Sequence, residues 1–200
     1  AGCMGQLTPG VVQAMLTIFS RAGVDYAFID EQGGVCCGRP ALLSGNLNAA
    51  SAILEKNTGI LESSKAEILV TSCPICYKTF KEDYRLSMQV MHHTEYLRML
   101  IAQGKLKLHP SQQKTVFHNP CELGRGSAIY QAPEEVLRAV SNLVATAFDG
   151  KKSLCCGGSL ANNHITALQR TQLSRDALNA YLAYRPDVLV TACPLCKKTF

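Results

Sequence analysis

The chain has 200 residues, of which 47% are apolar and 18% are charged, and its net charge is +5. The apolar fraction supports a packed core in one domain or in two smaller ones, and excludes an intrinsically disordered chain. The basic residues, such as Lys105, Lys107 and Lys151, are scattered and do not alternate with aromatic residues, so we predict no nucleic-acid partner. No apolar run reaches about 18 residues, so no direct membrane span is predicted.

The hydrophobic periodicity predicts helices and strands that alternate along the whole chain. Helices are predicted at residues 8–22, 47–63 with an interruption at Gly59, 77–84, 94–103, 133–144 and 159–184. Strands are predicted at residues 26–29, 66–71, 88–92, 114–118 and 188–191, and a loop at residues 33–40. This alternation is typical of an α/β fold with mostly parallel strand pairing.

All ten cysteines belong to two matching sets of five. Each set has a single cysteine, then a vicinal pair followed by glycine, then a Cys-Pro-x-Cys turn. The first set is Cys3, Cys36, Cys37, Cys73 and Cys76, and the second is Cys121, Cys155, Cys156, Cys193 and Cys196. Residues 70–80 also align with residues 190–200. We therefore interpret the chain as a duplication, with a first repeat at residues 1–108 and a C-terminally truncated second repeat at residues 109–200.

The duplication also predicts a strand outside the chain. The strand predicted at residues 114–118 precedes Cys121, the first cysteine of the second repeat. By the same logic an apolar strand should precede Cys3, so we expect the chain to be a fragment of a longer protein.

The cysteine pattern predicts a metal site in a reducing compartment. A Cys-x-x-Cys turn can supply two of the four ligands of a structural zinc site. Adjacent residues such as Cys36 and Cys37 suit a single ion poorly, because neighbouring side chains diverge, whereas they can reach different metal atoms of an iron–sulfur cluster. Most cysteine groups follow a predicted strand, so we expect them at the sheet edge where α/β proteins bind ligands. Zinc and a disulfide framework are the alternatives.

Several neighbours of the cysteines have two interpretations each. Gly38 and Gly157 would let the backbone turn and approach a cluster closely. His118, near Cys121, could hydrogen-bond a sulfur or simply end a strand. The His92-His93 pair is interpreted as structural, because successive strand side chains point to opposite faces. Arg39 and Arg125 would either balance cluster charge or face solvent; no glycine-rich phosphate loop is present.

The repeated spacing C-x32-C-C-x35-C-x2-C resembles that of the cysteine-rich CCG-domain family. Residues 118–125 are similar to the family's H-D-P-C-x-L-G-R stretch, and residues 130–137 to its Y-x-x-P-x-x-(I/V)-L stretch. The family includes the catalytic subunits of heterodisulfide reductases, of the B and D types. It also includes the iron–sulfur subunits of glycolate oxidase, anaerobic glycerol-3-phosphate dehydrogenase and the lactate-utilisation complex.

The resemblance implies two pseudo-symmetric α/β domains in which each five-cysteine set holds a non-cubane [4Fe-4S] cluster. It implies an oxidoreductase subunit, without assigning a catalytic residue. The subunit would reduce a disulfide at its two clusters, or pass electrons from a flavoprotein or ferredoxin-type partner to quinone or another acceptor.

Two alternatives remain at this point. One is a non-catalytic electron-transfer subunit of a flavin-dependent hydroxy-acid or glycerol-3-phosphate dehydrogenase, and the other is a zinc-binding structural module. The expected location is cytoplasmic, either free or attached peripherally to the inner membrane through a partner.

Overall fold

The computed structural model describes residues 2–31, 36–158 and 164–200. In these residues the helices are α1 Gly2–Leu7, α2 Pro9–Arg21, α3 Arg39–Leu43, α4 Leu47–Ser63, α5 Pro74–Glu82, α6 His93–Ala102, α7 Gly124–Ser127, α8 Gln131–Val140, α9 Ala167–Leu182 and α10 Pro194–Thr199, with a 3-10 turn at Gly150–Lys152. The strands are β1 Ile68–Thr71, β2 Gln89–His92, β3 Lys114–His118, β4 Asn142–Leu143 and β5 Val188–Thr191.

The described strands form two parallel sheets. The first pairs β1 with β2, with Ile68 opposite Gln89. In the second, β3 lies between β4 and β5, and Thr115 is opposite both Leu143 and Val188. The parallel α/β architecture with flanking helices is therefore confirmed.

One apolar core connects the two sheets. Its buried members are Tyr77, Phe117, Leu123, Ile129, Ala132 and Ala192, and Val90 and Val190 pack against them. Helix α6, which follows β2, also packs against α8, which precedes β4. The carboxyl ends of the two sheets consequently lie close together. The division of the chain at residues 108/109 stays a prediction.

Several helices begin where the sequence supplies a start signal. Proline occupies the first turn of α2, α5 and α10, where its missing N–H costs no hydrogen bond. Helix α6 begins with a capping box, in which the His92 side chain accepts from the first turn and Glu95 bonds back to the His92 N–H. The prolines of α5 and α10 follow cysteines directly, so these starts also position candidate ligands.

The structure corrects several predicted elements. The strand predicted at residues 26–29 does not form: residues 24–28 have no regular structure, residues 29–31 form a turn, and no strand in the described part of the chain pairs with them. Helix α4 runs through Gly59 without interruption, because Gly59 does not adopt a positive φ and one glycine costs a helix interior only about 1 kcal/mol. Helix α8 ends at Val140 instead of residue 144, because residues 142–143 pair with β3 as β4.

One helix prediction and one loop prediction also need adjustment. Helix α9 begins only at Ala167, where Thr166 caps it, and the predicted start at residues 159–163 lies outside the described residues. Helix α3 begins at Arg39, inside the loop predicted at residues 33–40, whose residues 33–35 are likewise outside the description. The sequence patterns missed the short helices α1, α3, α7 and α10. Across the described residues, no helix is both long enough and apolar enough to span a membrane.

Candidate metal centre

The five cysteines of the first set line one small cavity of about 20 Å³, together with Pro40, Ile75 and Leu195. Cys3 lies in α1, and Cys36 and Cys37 precede α3. Cys73 caps α5 immediately after β1, and Cys76 lies in the first turn of that helix. Cys37, Cys73 and Cys76 are buried, Cys36 is half-buried and Cys3 is exposed. Residues far apart in sequence therefore converge at the carboxyl end of β1.

The second set forms a corresponding chain of thiol contacts. Cys156, Cys193 and Cys196 are buried together against Leu195 and Phe200. The Cys156 Sγ donates to the Cys196 Sγ at 3.2 Å. The Cys155 thiol is in polar contact with both Cys121 and Cys156. Cys121 follows β3, and Cys193 caps α10 after β5, so this set also gathers at strand carboxyl ends.

The two sets adjoin each other. The thiol of Cys73, in the first set, is in polar contact with the thiol of Cys193, in the second. Leu195 packs against the buried cysteines of both sets. The structure thus brings the sequence-predicted cysteines into one continuous group whose middle is buried and whose outer members, Cys3 and Cys155, are exposed.

Each set contains thiols that are acidic because neighbouring thiols donate hydrogen bonds to them. The interaction with Cys36 lowers the pKa of Cys37 to about 3. The interaction with Cys121 lowers the pKa of Cys155 to about 2. The donors Cys36 and Cys121 have raised pKa values, because hydrogen bonding to the vicinal cysteine favours their protonated form. The thiolate is the metal-binding form of cysteine, so these contacts favour Cys37 and Cys155 as candidate ligands.

Backbone amides at the helix starts also favour sulfur anions. The contact with Cys193 lowers the pKa of Cys73 most, and the N–H groups of Cys76 and Ile75 lower it further. For Cys193, the Cys196 thiol lowers the pKa, but the Cys73 contact and burial outweigh it and raise the pKa to about 12. The junction therefore pairs an acidic thiol with a protonated one.

The vicinal cysteine turns have the same geometry in both repeats. Gly38 has φ +89° and Gly157 has φ +79°, a left-handed conformation that favours glycine. The Gly38 N–H lies 3.5 Å from the Cys36 Sγ, and the Gly157 N–H lies 3.4 Å from the Cys155 Sγ. Each glycine therefore turns the chain and directs its N–H to the first sulfur of its pair.

The loop of the first vicinal pair is held by two residues that the sequence patterns did not single out. The Asn57 Nδ2 donates to the Cys36 carbonyl at 3.0 Å and to the Tyr84 hydroxyl at 2.9 Å. The Tyr84 hydroxyl donates to the Cys37 carbonyl at 3.0 Å. Asn57 is a polar residue on the buried face of α4, which is the one signal that could have identified it.

A different group holds the loop before the second pair. Arg125 donates to the Ser153 carbonyl at 2.6 Å, and the Ser153 hydroxyl donates to the Asn119 carbonyl at 2.5 Å. The Tyr181 hydroxyl accepts from the Leu154 N–H at 3.4 Å. The two loops are thus anchored by non-equivalent residues, which is why the internal repeat could not predict them.

His118 and the arginines near the cysteines have protein partners. The His118 Nε2 bonds to the Leu154 carbonyl and its Nδ1 to the Thr191 hydroxyl, both at 2.9 Å. These two bonds agree with the structural interpretation of this histidine. Arg39 forms an ion pair with Asp83 at 3.5 Å, and Arg125 donates to backbone carbonyls. Neither arginine is therefore simply solvated.

The His92-His93 pair lies close to the junction. Their ring centroids are 4.3 Å apart, and the His92 Nδ1 bonds to the Thr94 hydroxyl at 2.8 Å. Burial lowers the pKa of His93 to about 4, while the nearby Cys73 opposes this shift. Within residues 2–31, 36–158 and 164–200, no three cysteine, histidine or acidic side chains are arranged around a single metal ion.

Fold and site together define a duplicated parallel α/β protein whose cysteines meet at one junction. Each donor set consists of several cysteines, two of which are adjacent in sequence. Such a set fits an iron–sulfur cluster. A family model described as a cysteine-rich domain, CCG, matches residues 1–81 and 115–200. The chain therefore belongs to the CCG cysteine-rich domain family, and the resemblance seen in the sequence is confirmed.

The relatives are named as oxidoreductases, as oxidoreductase subunits or as iron–sulfur proteins. The chain is 27% identical to the EtfAB:quinone oxidoreductase of Syntrophomonas wolfei, over 93% of the chain and 28% of that protein. It is 31% identical to the "Probable iron-sulfur-binding oxidoreductase FadF" of Bacillus subtilis, over 90% of the chain and 26% of that protein. It is 28% identical to a dihydromethanophenazine:CoB–CoM heterodisulfide reductase subunit of Methanosarcina acetivorans, over 90% of the chain and 47% of that protein. The chain spans between a quarter and a half of these relatives.

Proposed function

We propose that this chain is the cluster-binding part of an iron–sulfur oxidoreductase subunit, and that it holds two clusters which relay electrons between a partner and an acceptor. The observation that carries the proposal is the contact between Cys73 and Cys193, which joins two complete five-cysteine sets at a buried junction. The relatives named as oxidoreductases, one of them as iron–sulfur-binding, support the general class.

Each set would hold one cluster, non-cubane [4Fe-4S] in type. The first would be held by Cys3, Cys36, Cys37, Cys73 and Cys76, and the second by Cys121, Cys155, Cys156, Cys193 and Cys196. The convergence of the first set on one cavity and the linked thiol contacts of the second support this division. Binding would replace the present thiol–thiol hydrogen bonds with sulfur–iron bonds.

The protein's own groups have defined tasks in such a relay. The clusters would supply one-electron redox chemistry. Leu195 and Phe200 cover the buried cysteines with apolar surface and exclude water from them. The N–H groups of Gly38 and Gly157 donate to sulfur, and such hydrogen bonds are one of the factors that set cluster potentials. Cys73 and Cys193, whose thiols shift each other's pKa, would bring the two clusters close together.

The donor would be a flavoprotein or a ferredoxin-type subunit, and the acceptor quinone or another oxidant. Burial of Cys73 and Cys193, 3% and 5% exposed, favours electron relay over a substrate site open to solvent between the sets. The name of the S. wolfei relative supports quinone as the acceptor class to test first.

Disulfide reduction is the second candidate. Reducing a disulfide to two thiols consumes two electrons and two protons, and two adjoining one-electron sites supply the electrons at one place. The contact between the two sets favours this candidate, and the heterodisulfide reductase relative supports it.

Metal analysis and turnover test the proposal. Anaerobically reconstituted chain should contain about eight iron and eight sulfide per molecule, as two four-iron clusters require, and an EPR signal should appear on oxidation or reduction. Stoichiometric zinc without sulfide would instead establish the structural-module alternative. Bound iron that stays EPR-silent in every redox state would contradict the non-cubane assignment. Comparing quinone and disulfide as oxidants of the reduced full-length protein separates the two candidate functions.

A further inference from the structure

A cleft of about 660 Å³ lies along the open edge of β1. Apolar side chains of α2 form one wall, among them Val12, Leu16 and Phe19. Residues 24–30 form another wall, and β1 with its flanks forms the third. The cleft is distinct from the cysteine cavity, with which it shares no lining residue.

The edge of β1 that borders the cleft carries backbone groups without a strand partner. In the pairing with β2, the Gln89 N–H donates to the Glu67 carbonyl, and Ile68 is opposite Gln89. A parallel ladder alternates, so the N–H groups of Leu69 and Thr71 point to β2 and those of Ile68 and Val70 point to the other edge. No described strand pairs with that edge.

The second repeat shows what occupies the equivalent place. There β3 lies between β4 and β5, and its Val116 and Phe117 are 0% and 5% exposed. Strand β5 is the repeat partner of β1, and residues 142–143 of β4 correspond to the start of the 24–28 segment. In the first repeat, β1 is therefore the counterpart of β5, and the start of residues 24–28 is the counterpart of β4. The cleft lies between them, at the place that β3 occupies in the second repeat.

The start of the chain lies at the mouth of this cleft. The Gly2 N–H donates to the Asp30 carboxylate at 2.7 Å, and Asp30 lines the cleft. In the second repeat β3 ends at His118, three residues before Cys121. Three residues before Cys3 is the position immediately before Ala1. A strand in the cleft would thus connect to Gly2 without a further loop.

A polar contact of the second repeat has a candidate counterpart at the cleft. At the start of β3, the Lys114 N–H donates to the Asp187 carboxylate at 2.7 Å. The repeat partner of Asp187 is Glu67, which also lines the cleft. Glu67 is placed to accept from the first N–H of an entering strand.

We propose that this cleft receives a parallel β-strand of about five mainly apolar residues, formed by the polypeptide segment that immediately precedes Ala1. The added strand would bond to the N–H groups of Ile68 and Val70, cover the apolar wall of α2 and make the first sheet three-stranded, as the second is. Such strand addition gains main-chain hydrogen bonds together with pockets for alternate side chains.

A grafted strand tests the proposal on the chain itself. A copy of residues 112–118 is placed directly before Ala1, and a control extension has the valine and phenylalanine of that copy changed to serine. Hydrogen exchange is followed residue by residue, with the chain carrying its own preceding residues as a third sample. The unaltered graft and the natural extension should slow exchange at Ile68 and Val70 by about tenfold or more, with little change at Leu69 and Thr71.

The serine control should leave exchange at Ile68 and Val70 as fast as in the unextended chain. Equal exchange in all samples, or equal slowing by both extensions, would overturn the proposal. A dimer of the unextended chain that pairs through β1 and persists after grafting would also overturn it, by assigning the edge to a second copy. These outcomes do not depend on metal content, so they are independent of the proposed function.

Discussion

Cys73 and Cys193 are in thiol–thiol contact although each caps a helix in a different repeat. Each is the first cysteine of a Cys-Pro-x-Cys turn at the end of a parallel strand. Because the carboxyl ends of the two sheets face the same region, equivalent residues of a duplicated motif become neighbours. Internal symmetry thereby brings the two cysteine sets together.

The first prediction concerns the number of clusters. Cys73→Ser and Cys193→Ser should each lose about half of the bound iron and sulfide, because each would remove a ligand of one of the two proposed clusters. Iron and sulfide analysis of the reconstituted variants checks this. If either single change removed all iron, the ten cysteines would share one cluster and the two-cluster proposal would be wrong.

Tyr84→Phe should loosen the first vicinal loop. It removes the hydroxyl that donates to the Cys37 carbonyl and accepts from Asn57, and should cost about 1 kcal/mol of stability in the metal-free chain. Modification of Cys36 and Cys37 by a thiol reagent should become faster. Tyr26→Phe is the matched control, since Tyr26 is 43% exposed; equal effects of both variants would contradict this anchoring role.

Gly157→Ala should destabilise the second loop. The residue has φ +79°, and an added Cβ would lie 2.7 Å from the Arg170 carbonyl oxygen, a backbone atom that cannot rotate away. A cost of about 1–3 kcal/mol is expected in urea unfolding of the metal-free chain. Gly59→Ala, in open space within α4, should instead stabilise the chain by roughly 0.5–1 kcal/mol. The reverse order would show that the left-handed turn is not needed.

Buried histidines should make the metal-free chain less stable in acid. Burial lowers the pKa of His118 from 6.5 to about 4, so the unfolded chain binds the proton more readily between these values. Stability should therefore fall as pH decreases from about 6.5 to 4, by on the order of 1–3 kcal/mol for this group. His118→Gln should flatten the profile measured by urea unfolding, and His109→Gln, at an exposed position, should not. An unchanged slope in His118→Gln would contradict the assignment.

Leu195→Ala should affect both cysteine sets, because Leu195 packs against each of them. Alkylation of buried Cys73 and Cys193 should become faster, and stability should fall by about 2 kcal/mol or more through the cavity left behind. Leu168→Ala, at a position 80% exposed, is the control. Faster alkylation in only one set would show that Leu195 does not form a shared wall.

The strand that was wrongly predicted at residues 26–29 illustrates a limit of sequence patterns. Its apolar alternation resembles a strand, but a strand needs a neighbour to bond with, and the structure offers these residues only the cleft. The short β4 shows the opposite case, where two residues pair because β3 lies beside them. Local propensity can predict neither the missing strand nor the short β4, since both depend on a distant segment.

The sequence by itself determined the duplication, the parallel α/β class and the placement of the cysteine turns after strands, because these follow from spacing and from hydrophobic period. Only the tertiary structure decided which thiols meet. The contact of Cys73 with Cys193 and the anchors Asn57 and Tyr84 arise from how the two sheets and their helices pack. Packing brings together residues that lie far apart in the chain, and a local sequence pattern does not show which distant residues will be neighbours.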